Sequence, residues 1–201
     1  MPLLKALRII VWTAVVVLGA AVLWLTIFSR GQDGAGGITA ASLGGPFELV
    51  DQRGAPVTEA ALQGHPSALF FGYTYCPDVC PTTLADMTIW LKDLGAGGDK
   101  LKAYFVTVDP ERDTQDQMAS YLTAFDPRIV GLTGSRPAID KMLKEYRIYS
   151  RRVEGTDGAA YTMDHTASVY LLDDKATFVG TVDYQEKPDT VLAKLKRLVG
   201  A

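Results

Sequence analysis

Two cysteines, Cys76 and Cys80, are the only thiols of this 201-residue chain, and both lie in the stretch FGYTYCPDVCPTTL, spaced C-x-x-x-C with a proline after each. Thiolate is the nucleophilic and metal-binding form of cysteine, and the positive end of a helix dipole lowers a thiol pKa. The residues after the pair read as a helix, so both thiols stand where that effect operates. Side chains four apart on a helical turn have Cβ atoms about 5 to 6 Å apart, whereas a disulfide needs roughly 3.5 to 4.5 Å. The reduced pair can pinch one soft metal ion, and a modest backbone adjustment can close it into a disulfide. Pro77 makes the intervening segment a shaped loop rather than regular helix. Stapling alone explains the pair poorly, because a ring this small removes little chain entropy.

A ligand beyond the two sulfurs has to come from elsewhere in the chain, which makes the surrounding elements decisive. PFELVDQRGAPVT reads as two short strands about an Arg53-Gly54 turn, and SALFFGYTY, from Ser67, as a buried central strand. Leu84, Met87, Leu91 and Leu94 then recur at helical spacing, with Pro81 suited to the first turn and Gly95 to the stop. KAYFVTVDP is the next strand, TQDQMASYLTAF a helix, IVGLT a strand and RPAIDKMLKEYRIY a helix. TASVYLLD and ATFVGTVD form a hairpin, and PDTVLAKLKRLV closes the chain as an amphipathic helix. This order predicts an α/β fold of thioredoxin-like type: a mixed sheet flanked by helices, extended by an amino-terminal β-hairpin and an inserted βα unit.

The chain has two histidines. His65 precedes the strand that Cys76 follows, and about seven extended residues at ~3.3 Å each hold them more than 20 Å apart. His65 reads as a solvated turn residue. His165, in YTMDHTASVYLLD, lies immediately before a strand expected to run antiparallel to, and beside, the strand leading into the cysteines. A histidine so placed can simply be satisfied by core hydrogen bonds, but the topology brings this one to the cysteine loop. Asp164 should point to the opposite face of the extended segment, away from the imidazole. Two thiolates and one imidazole lack the fourth protein ligand of a structural zinc site. Sulfur suits Cu(I), imidazole suits Cu(II), and copper heads the Irving–Williams order, so copper is the favoured metal for Cys76, Cys80 and His165.

The whole chain sets the compartment. It is 48% hydrophobic with a formal net charge of −3, enough to bury a core, and it has no basic patch to suggest nucleic-acid binding. Ile9 to Phe28 is an uncharged run of 20 residues, sufficient to cross a bilayer core of about 30 Å. Lys5 and Arg8 precede it, which predicts a single-pass anchor with its amino terminus in the cytoplasm. A cleaved signal peptide would have a shorter apolar region and a small-residue cleavage site. The expected organisation is an anchor over residues 1–30, a Gly/Ala/Ser-rich tether over 31–45, and a folded domain over 46–201. The short leader lacks an Arg/Ser-rich transit character, so the expected location is a bacterial cytoplasmic membrane with the domain in the periplasm, where a cysteine pair can oxidise.

FGYTYCPDVCPTTL, VTVDPERDT, GLTGS and DHTASVYLLD, in that order behind one anchor, resemble the Sco (SenC) family of copper-binding assembly proteins for cytochrome c oxidase, from about Pro46 onward. The resemblance implies copper on Cys76, Cys80 and His165, and a role in delivering it to, or reducing the cysteines of, the copper site of oxidase subunit II. It also matches Asp109 to an acidic position with a possible effect on partner or metal; equally, Asp109 is a turn-forming residue before Pro110. The alternative is a membrane-tethered thiol-disulfide oxidoreductase or peroxidase-like enzyme, with Cys76 and Cys80 as nucleophile and resolving thiol. Against it stand the extra residue between the cysteines and Asp164-His165-Thr166, where thioredoxins place a cis-proline. An adaptor that only binds a partner would leave the three residues without joint purpose.

Overall fold

The computed structural model describes residues 43–156 and 160–201, together with Trp12, Thr13, Val17, Leu18, Gly19 and Trp24. The expected anchor, and the tether up to residue 42, otherwise lie outside the described residues, among which no helix is long and apolar enough to cross a membrane.

The SALFFG run forms β3 (Ser67–Gly72), and all six of its residues are buried. Successive strand residues face opposite sides, so burial of every one means that the sheet is covered on both faces. β3 runs parallel to β4 (Lys102–Thr107), and β4 parallel to β5 (Ile129–Thr133). On the other flank β3 pairs antiparallel with β8 (Val169–Leu172), which pairs antiparallel with β9 (Phe178–Val182). β1 (Glu48–Asp51) and β2 (Pro56–Thr58) form the predicted amino-terminal hairpin and extend the far edge through β5, giving the order β2-β1-β5-β4-β3-β8-β9. The Asp51 carboxylate accepts the N–H groups of Arg53 and Ala55, and Gly54, at φ +86°, completes the turn between them.

Among the described residues, four helices flank the sheet: α1 (Val79–Asp93), α2 (Gln115–Leu122), α3 (Arg136–Glu145) and α4 (Pro188–Val199). Each presents its apolar residues inward at three- and four-residue spacing, as in Leu84, Met87 and Leu91 of α1 and Val191, Leu195 and Val199 of α4. Thr114 and Ser135 cap α2 and α3 by accepting backbone N–H bonds from Gln117 and Ala138.

Two features depart from the sequence reading. α3 stops at Glu145 instead of continuing through Tyr149, because Arg147 takes a left-handed conformation (φ 53°). There Ile148 N–H bonds the Leu143 carbonyl and Arg147 N–H that of Lys144, a helix stop usually built on glycine. Beyond it, β6 (Ser150–Val153) and β7 (Thr162–His165) form a separate two-stranded ribbon, with Ser150 opposite His165. His165 therefore ends a strand of its own, four positions before β8.

Candidate metal centre

The register Phe70↔Val169 puts the start of β8 beside the end of β3, the proximity that topology predicted. From β3 the chain turns through Tyr73–Asp78 into α1, with Cys76 N–H bonded to the Tyr73 carbonyl at 3.2 Å. Cys76 precedes the helix, and Cys80 lies in its first turn. The N-cap residue Asp78 makes no side-chain capping bond. Cys76 Sγ takes that role instead, accepting the Cys80 N–H at 3.4 Å. Sulfur thus meets one of the helix's four unpaired N–H groups and the positive end of its dipole.

His165 reaches the same point from the ribbon. Its Nδ1 is 2.9 Å from the Thr166 carbonyl oxygen, which can only accept, so Nδ1 carries the proton and Nε2 turns to the sulfurs, 3.5 Å from Cys80 Sγ. The ring is wedged edge-to-face between Tyr73 and Phe70, at 5.8 and 6.3 Å between centroids. Sγ of Cys76, Sγ of Cys80 and one imidazole nitrogen lie within 4.8 Å of one another. Cys80 is fully buried and Cys76 half-buried, so the group opens to solvent on one side. Tyr75, the residue before Cys76, is exposed.

Both cysteines are free thiols, and their proximity splits their acidities. A hydrogen bond from the Cys80 thiol lowers Cys76 to about 3 against the opposing effect of burial, with the backbone N–H groups of Asp78 and Cys80 adding to it. Cys80 moves up, because it is the donor to Cys76, because it is buried, and because a thiolate lies beside it. The pair holds one shared proton across the neutral range.

Gly72 makes room for this arrangement. A Cβ there would stand 2.7 Å from Cys80 Sγ and 2.8 Å from the Phe105 ring. Gly72→Ala is expected to cost about 1 to 3 kcal/mol by overpacking and to displace Cys80 Sγ. Urea denaturation checks the first effect and metal affinity of the reduced protein the second.

The turn after β4 supports the cysteine loop. Asp113, fully buried, accepts Thr74 N–H at 3.1 Å and the hydroxyls of Thr74 at 2.7 Å and Thr107 at 2.6 Å. Burial raises its carboxyl above the usual range, and those bonds partly oppose the rise. Asp109 is the turn residue that one of its two sequence readings expects. Its carbonyl closes the turn onto Arg112 and Asp113 N–H, and its carboxylate, 1% exposed, pairs with Arg112 and accepts the Tyr161 hydroxyl at 3.0 Å. Asp164 turns outward to Arg151 at 2.9 Å, and His65 bonds Ser67 Oγ at the far end of β3; neither joins the group. Asp113, Arg112, Tyr73, Tyr161 and Gly72 escaped the sequence reading, for only the long-range packing gives them roles.

The model of the SCO1/SenC family matches residues 35–200. Saccharomyces cerevisiae Protein SCO1, mitochondrial, is 38% identical over 166 residues, 80% of this chain and 56% of that protein, so the match spans about half of that relative's length. Bradyrhizobium japonicum ScoI, solved with copper bound, is 47% identical with TM-score 0.72 over 78% of this chain and 99% of that one. Yeast Sco1 with copper bound is 36% identical with TM-score 0.73 over 80% and 90% of the two chains. A thioredoxin-like sheet that gathers two sulfurs and an imidazole at the end of its central strand, with a family match over nearly the entire folded unit, places this chain in the SCO1/SenC family.

Proposed function

We propose that this chain is a membrane-anchored copper carrier that holds one copper ion on Cys76, Cys80 and His165. It would pass the ion to cytochrome c oxidase subunit II, or to another copper-accepting protein, outside a bacterial cytoplasmic membrane. The observation that carries the reading is the convergence of three donor atoms within 4.8 Å on a half-open loop. Two thiolates and one imidazole form a soft-to-borderline set that suits copper in either oxidation state. Three ligands with an open side also suit transfer, since an acceptor thiol can enter before the donor's last sulfur leaves. The copper-bound relatives support the choice of metal, and the apolar run Ile9 to Phe28 supports the anchor.

At neutral pH Cys76 is already a thiolate, so loading copper has to expel the one proton left on Cys80. Titration of the reduced full chain in detergent is expected to give one copper per chain and about one proton released, where two ordinary thiols would release two. Oxidation of the pair to a disulfide is expected to abolish binding. Tight binding that survives oxidation would remove the cysteines from the site.

One observation favours a second activity: Cys76 is accessible and acidified while Cys80 waits buried beside it. Cys76 thiolate could attack an acceptor disulfide, forming a mixed disulfide and releasing one acceptor thiolate. Cys80, giving up its proton, would then displace the second, leaving a Cys76–Cys80 disulfide and a reduced acceptor. Rapid stoichiometric reduction of an oxidised acceptor peptide, in the absence of copper, would distinguish this route from metal transfer.

A further inference from the structure

The ribbon that carries His165 cannot hold itself in place. Two-stranded ribbons are marginal in water, and this one exposes Arg151, Arg152 and Asp164 while burying only Met163 fully among its eight strand residues. Its base is tied by two mutual bonds, Thr166 N–H to the Tyr149 carbonyl and Tyr149 N–H to Thr166 Oγ1, each at 3.1 Å. A second attachment lies at the other end of β7, where Arg112 inserts between the ribbon and the body.

Arg112 Nη1–H donates to the Tyr161 carbonyl at 3.0 Å, and its guanidinium lies 3.6 Å from the Tyr161 ring centroid. Its Nε–H donates to the Asp109 carboxylate at 2.5 Å, and the same carboxylate accepts the Tyr161 hydroxyl. Tyr73 and Tyr75, in the cysteine loop, face the guanidinium at 5.5 and 4.9 Å. Arg152 stacks on Tyr161 at 3.6 Å and pairs with Glu111 at 3.5 Å. Arg112 Nη2 is buried without a hydrogen-bond acceptor, so its remaining donors are sealed among aromatic rings. One planar cation therefore touches the turn after β4, the cysteine loop and Tyr161, the residue just before the histidine strand.

We propose that Arg112 is a positioning residue for His165, clamping the β6–β7 ribbon against the Asp109–Asp113 turn and thereby setting the distance from the imidazole to the two sulfurs. The same five-residue turn holds the cysteine loop through Asp113, so one short segment references both halves of the centre. The planar fork is essential, because it must pair with a carboxylate, bond a carbonyl and stack on a ring together, which a lysine cannot do.

The inference rests on the copper reading, and a double-mutant cycle separates the two. Cu(II) affinity of the full chain is measured by chelator competition for wild type, Arg112→Ala, His165→Ala and the double variant. Arg112→Ala is expected to lose about 10- to 100-fold, the range for groups that orient a ligand. In the His165→Ala background it should change affinity less than about twofold, since a residue acting through the imidazole has nothing left to act on. An equal loss in both backgrounds, or none in a folded Arg112→Ala protein, overturns the proposal. Should Arg112→Ala fail to fold, Arg112→Lys enters the same cycle under the same criteria. If wild type binds no copper, the function reading fails, and proton NMR of the metal-free protein decides the inference alone. The His165 ring resonances, set by Tyr73 and Phe70, should move in Arg112→Lys; unmoved resonances overturn it.

Discussion

Alkylation of Cys76 by iodoacetamide is expected to proceed at nearly the same rate from pH 8.5 to pH 5.5, while a reference peptide thiol slows several-hundredfold over that interval. An ordinary thiol ionises near 8.5, so at pH 5.5 only about one in a thousand is thiolate. Cys76, held down to about 3 by the Cys80 hydrogen bond, stays ionised throughout. The profile, and not the absolute rate, is the test. Intrinsic nucleophilicity falls with thiol pKa with a slope of about 0.4 to 0.5, and over about five units that forfeits a few hundredfold, which nearly cancels the gain in thiolate at acidic pH. Cys80, fully buried and raised, should remain unmodified until the protein unfolds. The same shifts fix the sign of the stability profile. The lowered Cys76 contributes stability that is complete above its unfolded value near 8.5 and is lost as pH falls through about 3. The raised Cys80 contributes stability that is complete below the same unfolded value and declines as pH climbs above it. Cys80→Ala removes the donor, and the alkylation profile of Cys76 should move toward that of the peptide. A wild-type rate that falls tenfold per pH unit below 8 would show that the two sulfurs do not share a proton.

The chemistry of the cysteine loop could be read from the sequence because local rules and global packing agree there. A six-residue apolar strand, a proline-bounded loop and a helix with apolar residues at 84, 87 and 91 admit one arrangement, and it delivers both thiols to a helix start. His165 could be placed by topology alone, since antiparallel pairing of β8 with β3 fixes which ends meet. The ribbon that carries it gave no such signal. Its strands, SRRV and TMDH, alternate poorly, and Met163 alone is fully buried, so period-two hydrophobicity is missing. The preceding helix was overextended because its stop uses Arg147 where a glycine would have announced it. Asp113 and Arg112 were invisible for another reason: a charged residue in a turn reads as solvated until long-range contacts bury it. What could be read were the donor atoms; what could not was the scaffold that sets their spacing.

His165→Ala is expected to separate the two oxidation states of copper, lowering Cu(II) affinity by at least about 100-fold while costing Cu(I) less than about tenfold. The asymmetry follows from ligand softness. Two thiolates satisfy Cu(I), which accepts low coordination by sulfur, whereas Cu(II) loses the one borderline nitrogen in the set. The substitution is also structurally mild at the sulfurs: His165 Nε2 contacts Cys80 Sγ at 3.5 Å, but the cysteine loop itself is held by Asp113 through Thr74 and by the first turn of α1. Copper competition under reducing conditions with a Cu(I) chelator, and anaerobically with a Cu(II) chelator, measures the two affinities on one protein. His165→Gln offers a finer comparison, because an amide keeps polarity and much of the volume yet is a poor ligand for either ion; it should resemble the alanine variant for Cu(II). Equal losses for both ions would mean that the imidazole acts by holding the loop closed and not as a donor. No loss for Cu(II) would detach His165 from the centre altogether and leave a two-sulfur site, better suited to thiol exchange than to carrying copper in both states.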